Sequence, residues 1–297
     1  MPPDPVPSAA PSPVGVHVPV GRGLAAGGLR HAAAVGAEAV QVFVANPRGW
    51  ALPAGKPDQD EAFLDGCRRD AIPAYVHSPY LVNLASPTPA TLQRSIASVR
   101  HSLDRGRVLG ARGVVVHTGS SVTGSSVTGS DRAAALAQVR AALLPVLEEL
   151  PDDGPDLLLE PTAGQGQSLC ATVDDLGPYL EALEAHPRVG VCLDTCHAFA
   201  AGHELSVAGG VRRMLDRLVE VTGPGRLRLV HANDSKDPVG SGRDRHERVG
   251  RGHIGEAAFA ELFAHPATRG VPVVLETPGE EPEHIEDIAM LRKLRDG

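Results

Sequence analysis

The sequence predicts a single-domain (β/α)8 barrel, and its order of segments carries this prediction. Eight short apolar runs rich in β-branched residues alternate with longer segments rich in Ala and Leu. Strands that alternate with helices form parallel sheets through crossover connections, and eight such units in 297 residues are typical of a closed barrel. An open doubly wound sheet is the alternative, but no G-x-G-x-x-G motif follows the first run.

The predicted strands follow one another along the whole chain. They are Gly15–Val18, Ala39–Val44, Ala74–His77, Gly113–His117, Leu157–Glu160, Val189–Asp194, Leu227–Asn233 and Val271–Glu276. Helices are predicted between them, because these longer segments are rich in strong helix formers. The clearest are Thr88–Gly110, Asp131–Leu150, Thr172–Ala185, Ser206–Thr222 and Glu256–Ala264.

Composition limits the functional class. Hydrophobic residues make up 42% of the chain and charged residues 22%, as in a soluble globular protein with a substantial core. No apolar run approaches 18 residues, so the sequence predicts no membrane-spanning helix and no membrane partner. The formal net charge of −8 argues against a protein that coats nucleic acid by charge alone, although bound metal cations do not enter that count.

Two segments are expected to lie outside the regular structure. Met1–Pro13 is rich in Pro, Ser and Ala, without a basic start or an apolar stretch, which predicts a disordered tail before a barrel domain at 14–297. The five-residue sequence GSSVT occurs twice in tandem, at Gly119–Thr123 and Gly124–Thr128. This repeat predicts a flexible insertion after the fourth strand.

Cysteine usage indicates a reducing compartment. The four cysteines form no C-x-x-C pair, and four in a chain of this length do not make a disulfide scaffold. We therefore expect reduced, buried thiols in a cytoplasmic protein. The cysteines are Cys67, Cys170, Cys192 and Cys196.

Ionisable residues stand at or near the ends of six successive predicted strands. In a barrel these ends share one rim, where they would converge. A single ionisable residue at a strand end is more often a core histidine or a helix cap. Six such residues packed together at one rim need counter-charge, which metal ions supply. The six are His77, His117, Glu160, Asp194, His231 and Glu276.

Two short spacings enlarge this set. His197 follows Asp194 by three residues in CLDTCH, and Asp244 and His246 are separated by one residue in RDRHE, so that both point the same way in an extended segment. Mixed imidazole and carboxylate ligands suit Zn2+, with Mn2+ or Fe2+ as alternatives. The resulting nine ligands exceed the coordination of one ion, so two or three metals are predicted, as suits phosphoryl hydrolysis.

Seven motifs in order resemble the endonuclease IV family, also called AP endonuclease family 2, a family of zinc-dependent deoxyribonucleases of base-excision repair. They run over about residues 14–290. The motifs are HSPYLVNLA (His77–Ala85), VVVHTGS (Val114–Ser120), LLLEPTAGQG (Leu157–Gly166), VCLDTCHAFAAG (Val191–Gly202), VHANDSK (Val230–Lys236), DRHERVGRGHIG (Asp244–Gly255) and VVLETPG (Val273–Gly279).

The resemblance implies three zinc ions per chain. By that similarity His77, His117 and Glu160 hold the first. Glu160, the expected catalytic residue, also binds the second zinc ion. It thereby bridges the first two ions and positions a metal-bound hydroxide. The second ion is also held by Asp194, His231 and Glu276, and the third by His197, Asp244 and His246.

The same resemblance implies the reaction and the partner. The expected reaction is hydrolysis of the phosphodiester bond 5′ to an abasic site in duplex DNA, leaving a 3′-hydroxyl and a 5′-deoxyribose phosphate, together with removal of 3′-blocking groups. The expected DNA contacts are Arg48, Gly49 and Trp50 in the NPRGW loop, Tyr80 and Asn83 after the third strand, and Lys236 in NDSK. The expected assembly is a monomer.

Two other functions remain alternatives at this point. A sugar isomerase or epimerase on a similar barrel would use one or two metals and would leave the Asp244–His246 pair without a role. A protein that binds abasic DNA without cutting it would have no need of a bridging Glu160. Metal content separates the first alternative from a nuclease, since about three ions per chain favour the nuclease.

Overall fold

The computed structural model describes residues 11–121 and 129–297. Eight parallel strands close into a barrel in chain order, and the last returns to pair with the first, which confirms the predicted (β/α)8 fold. A further pair, β8 and β9, forms a small antiparallel hairpin outside the barrel. The strands are β1 (Val14–His17), β2 (Ala39–Phe43), β3 (Ala74–His77), β4 (Gly113–His117), β5 (Asp156–Glu160), β6 (Val189–Asp194), β7 (Leu227–His231), β8 (Asp234–Ser235), β9 (His246–Glu247) and β10 (Val273–Leu275).

The helices cover the outside of the barrel, except the short α6, which is buried at the end of β6 and contacts β8. They are α1 (Arg30–Val35), α2 (Pro57–Arg69), α3 (Pro89–Val108), α4 (Gly129–Glu148), α5 (Leu176–Ala182), α6 (Thr195–Ala200), α7 (Gly210–Thr222), α8 (Glu256–Ala264) and α9 (Glu281–Asp296). One π-helical turn, Leu24–Leu29, leads into α1. No helix in the described part of the chain is both long and apolar enough to cross a membrane.

Two of the predicted helices differ most from the observed bounds, and for local reasons. The segment predicted as Thr172–Ala185 contains a capped 3-10 turn followed by the short α5, and it ends where Glu184 and Ala185 take positive φ angles of 54° and 47°. The segment predicted from Ser206 starts as α7 only at Gly210, because Gly209 has a left-handed φ of 76°. In contrast, α8 has the predicted bounds.

The barrel interior is closed by one layer of side chains, which we call the floor. Seven strands each contribute one floor residue, and β1 contributes Gly15 at the corresponding position. A Cβ at Gly15 would lie 1.9 Å from the carbonyl oxygen of Ala39, so this close approach of β1 and β2 requires glycine. The seven floor side chains are Ala39, Tyr75, Val115, Leu158, Cys192, Leu229 and Val274.

The chain is held against the barrel from its first described residues. The buried hydroxyl of Ser12 donates to the carbonyl of Thr268 at 2.6 Å, and the amide of Val273 donates to the carbonyl of Pro13 at 2.8 Å. The remainder of the predicted tail, residues 1–10, lies outside the described residues. So does most of the GSSVT repeat, residues 122–128.

Candidate metal centre

A ring of polar side chains lies directly above the floor. Successive residues of a strand alternate between its two faces, so the residue two positions after each floor residue also points into the barrel. In every barrel strand the residue at that position is polar, and in β10 it lies just beyond the end of the strand. This polar ring consists of His17, Gln41, His77, His117, Glu160, Asp194, His231 and Glu276.

Glu160 lies at the centre of the ring and is fully buried. Its Oε2 is 3.2 Å from Nε2 of His77 and 3.2 Å from Nε2 of His117. Its Oε1 is 2.8 Å from Nδ1 of His231. The two carboxylate oxygens therefore face two different groups of imidazoles, as a bridging carboxylate requires.

The possible ligand atoms fall into overlapping groups, within each of which all atoms lie within 4.8 Å of one another. Three of these groups use only imidazoles and carboxylates, and each resembles one of the predicted sets. They are His77–His117–Glu160, Glu160–Asp194–His231–Glu276, and Asp194–His197–His246.

Asp244 joins the third group from a loop that the β8–β9 hairpin supports. Its Oδ2 is 3.2 Å from Nε2 of His197, and its Oδ1 is 2.9 Å from Nε2 of His246. Buried Asp234 in β8 holds the segment that follows β9, because its carboxylate accepts hydrogen bonds from the amides of Gly250, Ile254 and Gly255. The structure thus brings all nine predicted metal ligands to one end of the barrel.

Four of the histidines use their second ring nitrogen to contact a fixed oxygen. His77 Nδ1 lies 2.6 Å from the carbonyl of Ser78, and His231 Nε2 lies 2.9 Å from the side-chain oxygen of Gln41. The corresponding nitrogens of His197 and His246 lie 3.1 and 3.2 Å from backbone carbonyls. A proton held at these nitrogens leaves the other ring nitrogen free to bind a metal, which is the usual arrangement around metal-binding histidines.

The electrostatics of the ring favour bound cations. Burial disfavours the charged form of Glu160, but His231 and His117 outweigh it and hold the pKa of Glu160 well below its usual range. Burial also opposes a charge on His246, but Asp194 and the neighbouring carboxylates raise the pKa of His246 to about 9. The site therefore holds ionised carboxylates and attracts positive charge. Together with the directed imidazole nitrogens, this donor set fits divalent metal ions.

The cysteines are free and buried, as predicted. Cys192 lies in the floor near His231 and Glu160, and Cys196 lies near Asp244 and His246. Burial raises the pKa of each of these two thiols to about 12. Both stay protonated at neutral pH, which favours imidazoles and carboxylates over thiolates as ligands.

The predicted NPRGW loop connects β2 to α2 at the same end of the barrel. Within it the side chain and carbonyl of Asn46 accept hydrogen bonds from the amides of Arg48 and Gly49, which forms a tight turn. Arg48 is exposed and Trp50 is half-buried. The turn therefore exposes an arginine at this end of the barrel.

Tyr80 lies between this loop and the metal ligands. Its amide donates to the carbonyl of Pro47 at 2.9 Å. Its ring centroid lies 5.3 Å from that of Phe43 and 5.9 Å from that of His117, nearly parallel to the latter. The side chain is 48% exposed, so a flat, partly apolar surface next to the ring faces solvent.

The other two predicted DNA contacts have different surroundings. The side-chain oxygen of Asn83 accepts hydrogen bonds from the amides of Ala85 and Ser120, and its nitrogen donates to the carbonyl of Ser120. This amide therefore joins the loops after β3 and β4. Lys236 is exposed next to β8, where its amide donates to the carbonyl of Arg245.

Sequence reasoning missed two members of the polar ring, His17 and Gln41. His17 Nδ1 lies 3.0 Å from Oε1 of Glu276, and the Gln41 amide contacts both His17 and Glu276. The available signal was their spacing, since each follows a small residue of its strand by two positions. Gly15 and Ala39 are those small residues.

Comparison with known proteins agrees with the barrel fold and identifies the family. A family model described as "Xylose isomerase-like TIM barrel" matches residues 29–294. A protein named "Probable endonuclease 4" from Streptomyces avermitilis is 60% identical over 99% of this chain and 94% of its own length. Its namesake from Streptomyces coelicolor is 61% identical over 96% of both chains.

A solved structure shows the same similarity in three dimensions. Endonuclease IV from Thermus thermophilus superposes with a TM-score of 0.82 and 31% sequence identity, covering 96% of this chain and 99% of that one. The similarity to named endonucleases extends over the whole barrel, including every segment that carries a predicted ligand. The chain therefore belongs to the endonuclease IV family.

Proposed function

We propose that this protein is a metal-dependent endonuclease that hydrolyses the phosphodiester bond 5′ to abasic sites in duplex DNA. The products would be a 3′-hydroxyl and a 5′-deoxyribose phosphate. The observation that carries the proposal is the convergence of five imidazoles and four carboxylates at one end of the barrel, beside the exposed Tyr80. Removal of 3′-blocking groups follows from the same chemistry where the blocking group is a phosphate ester.

Three Zn2+ ions are the proposed cofactors, with Mn2+ or Fe2+ as substitutes. When bound, such ions lower the pKa of water and neutralise charge on the phosphate oxygens. Three of them would also cancel most of the formal net charge of −8, so an acidic chain could still hold DNA at this rim. The proposed sets are His77, His117 and Glu160 for the first ion, Glu160, Asp194, His231 and Glu276 for the second, and His197, Asp244 and His246 for the third.

Glu160 is the proposed catalytic residue. Its two oxygens face opposite groups of imidazoles at 2.8 and 3.2 Å, so it would bridge the first two sets and orient the attacking water between them. Its carboxylate stays ionised because its pKa is held well below the usual range, burial being outweighed by His231 and His117. Loss of its charge should therefore stop hydrolysis.

The chain would recognise the lesion with residues beside the ring. Moving a nucleotide out of the duplex costs least where no base pair exists, so an abasic site suits a buried catalytic centre. Arg48, Gly49 and Trp50 would enter the gap in the stack, and Tyr80 would cover the neighbouring nucleotide. Lys236 would contact a phosphate, while Asn83 supports the loop that carries Tyr80.

The proposed active unit is a monomer in the cytoplasm. All nine proposed ligands come from one chain and lie at one end of one barrel, so no second copy is needed to complete the centre.

The test is cleavage of a labelled duplex that contains one stable abasic-site analogue. Zinc-loaded protein should give a single cut 5′ to the lesion with a 3′-hydroxyl end, and an undamaged duplex of the same sequence should stay intact. Chelator treatment should abolish the cut, and added Zn2+ should restore it. Tight binding without a cut would indicate a lesion-binding protein. Neither binding nor cutting would favour the sugar isomerase alternative, to be tested with carbohydrate substrates.

A further inference from the structure

We infer that Gln41 is a positioning residue of the metal centre, because its side-chain amide holds His231 and Glu276 in place and fixes which nitrogen of His231 can bind a metal. The inference rests on the proposed metal-dependent function. It concerns a residue that is not itself a ligand.

Gln41 belongs to the polar ring but differs chemically from its other members. It lies in β2, two residues after the floor residue Ala39, and its side chain is fully buried. A buried amide without hydrogen-bond partners is costly, so the groups around it account for its presence in the barrel. Three side chains of the ring, His17, His231 and Glu276, contact it.

The carboxylate of Glu276 determines the orientation of the Gln41 amide. An ionised carboxylate only accepts hydrogen bonds, so the group facing Glu276 Oε1 at 2.6 Å must be the NH2 of Gln41. The carbonyl oxygen of Gln41 then faces Nε2 of His231 at 2.9 Å. Because that oxygen can only accept, Nε2 of His231 carries the proton.

Nδ1 is therefore the nitrogen of His231 that would give up its proton when a metal ion binds. Nδ1 lies 2.8 Å from Oε1 of Glu160 and 3.3 Å from Oε2 of Glu276, at the point where the second ligand set converges. Gln41 also restrains Glu276 through Oε1, while Oε2 of the same carboxylate faces His231. One amide therefore orients two ligands of the same proposed ion.

Nothing else in the described part of the ring replaces both hydrogen bonds. His17 contacts Glu276 Oε1 at 3.0 Å but makes no hydrogen bond to His231 among the described residues. Without the Gln41 amide, His231 could place its proton on either nitrogen and rotate more freely. We therefore expect weaker binding at the second site, with the first and third sites less affected.

The experiment measures metal binding directly. Wild-type protein and Gln41→Met, which keeps the side-chain length but removes both hydrogen bonds, are stripped with a chelator and titrated with Zn2+ by calorimetry. The affinity of one site should fall about 10- to 100-fold in Gln41→Met. The absorption bands of the Co2+-loaded protein should change as well, because the ligand geometry around one ion becomes less regular.

Gln138→Met is the matched control. The Gln138 amide donates two hydrogen bonds of 2.9 Å to the carbonyls of Leu84 and Ser86, away from the ring. Its substitution should lower the melting temperature while leaving Zn2+ affinity and the Co2+ spectrum unchanged. If Gln41→Met does not fold, Gln41→Asn takes its place, since a shorter amide cannot reach both partners and should weaken the same site.

Wild-type Zn2+ affinity at every site in a folded Gln41 variant would overturn the inference. Failure of the inference about Gln41 is distinguishable from failure of the proposed function. If wild-type protein binds several zinc ions and cuts the abasic duplex, and the variant binds them equally well, only the role of Gln41 is rejected. If wild-type protein binds no zinc, the proposed function itself fails.

Discussion

Asp194 caps the helix that carries His197. Its Oδ1 accepts a hydrogen bond of 2.8 Å from the amide of His197, the third residue of the short helix α6. Its Oδ2 meanwhile lies 3.9 Å from Nδ1 of His231 and 3.6 Å from Nε2 of His246. One carboxylate therefore fixes the start of a helix and faces two proposed metal sets.

Asp194→Asn separates these two roles. Asparagine keeps the helix cap, but its NH2 group would face the NH2 of Asn233 that donates to Asp194 Oδ2 at 2.6 Å, so the metal-free protein should stay folded and lose about 1–3 kcal/mol of stability. The missing charge should weaken metal binding and reduce the incision rate more than about 100-fold. Metal analysis after dialysis, urea unfolding and the duplex assay measure the three quantities.

Asp175→Asn serves as its control. Asp175 also caps a helical turn, accepting hydrogen bonds from the amides of Ala171 and Thr172, but it lies outside the metal centre. It should retain full metal content and activity. Equal metal content in Asp194→Asn and wild type would reject Asp194 as a ligand.

Tyr80→Ala should weaken binding of the abasic duplex about 10-fold. The ring presents an exposed flat face, and a base stacked on an aromatic ring gains about 1–3 kcal/mol. Tyr80→Phe keeps the ring and should bind like wild type. Fluorescence anisotropy in the Glu160→Gln background, where the duplex should stay intact, gives the dissociation constants. Unchanged affinity in Tyr80→Ala would exclude stacking by this residue.

Lys236→Ala tests whether this exposed cation contacts a phosphate. Removal of one phosphate contact should lower the slope of log Kd against log salt concentration by about 1. It should weaken the binding of abasic and undamaged duplexes to the same extent. The measurement is a titration at several salt concentrations. An unchanged salt slope would show that Lys236 does not face the DNA backbone.

Glu38→Gln should lower stability at neutral pH. Glu38 accepts hydrogen bonds from the amide of Val14 and the guanidinium groups of Arg292 and Arg295, which join the start of the barrel to α9. Burial opposes ionisation of Glu38, but these bonds outweigh it and lower its pKa below 4.5. The stabilisation is therefore present above pH 4.5 and is lost as pH falls through the lowered pKa.

Urea unfolding at pH 7 and at pH 3 measures this effect. Glu38→Gln should cost about 1 kcal/mol at pH 7 and less at pH 3, where metal loss affects both proteins equally. Glu149→Gln is the control, because its pair with Arg100 is exposed and should contribute little at either pH. A difference that does not depend on pH would contradict the role of the Glu38 charge.

The fold could be predicted because each strand appears in the sequence as a separate apolar run. Helix ends were harder to place. The end of α5 depends on positive φ angles at Glu184 and Ala185, neither of which is a glycine or an asparagine. Composition alone therefore gave no stop signal there, whereas α8 ends where its apolar pattern ends.

The metal centre was predictable to the extent that its members are usual ligand types at strand ends. Gln41 was missed because an amide is not a typical ligand and lies inside a strand that reads as core. Its partners His231 and Glu276 lie 190 and 235 positions away in the chain, so only closure of the barrel brings them together. Asn83 likewise shows its role only through hydrogen bonds to Ser120 in another loop.

Incision of the abasic duplex by Glu160→Gln tests the central claim most directly. Glutamine keeps the size of the side chain but removes the charge that would bridge two metal sets. The variant should fold and bind the duplex, while its cleavage rate falls at least about 1000-fold relative to wild type. Glu261→Gln, far from the ring on α8, should cut normally. A Glu160→Gln protein that cuts 5′ to the lesion at the wild-type rate would contradict the account.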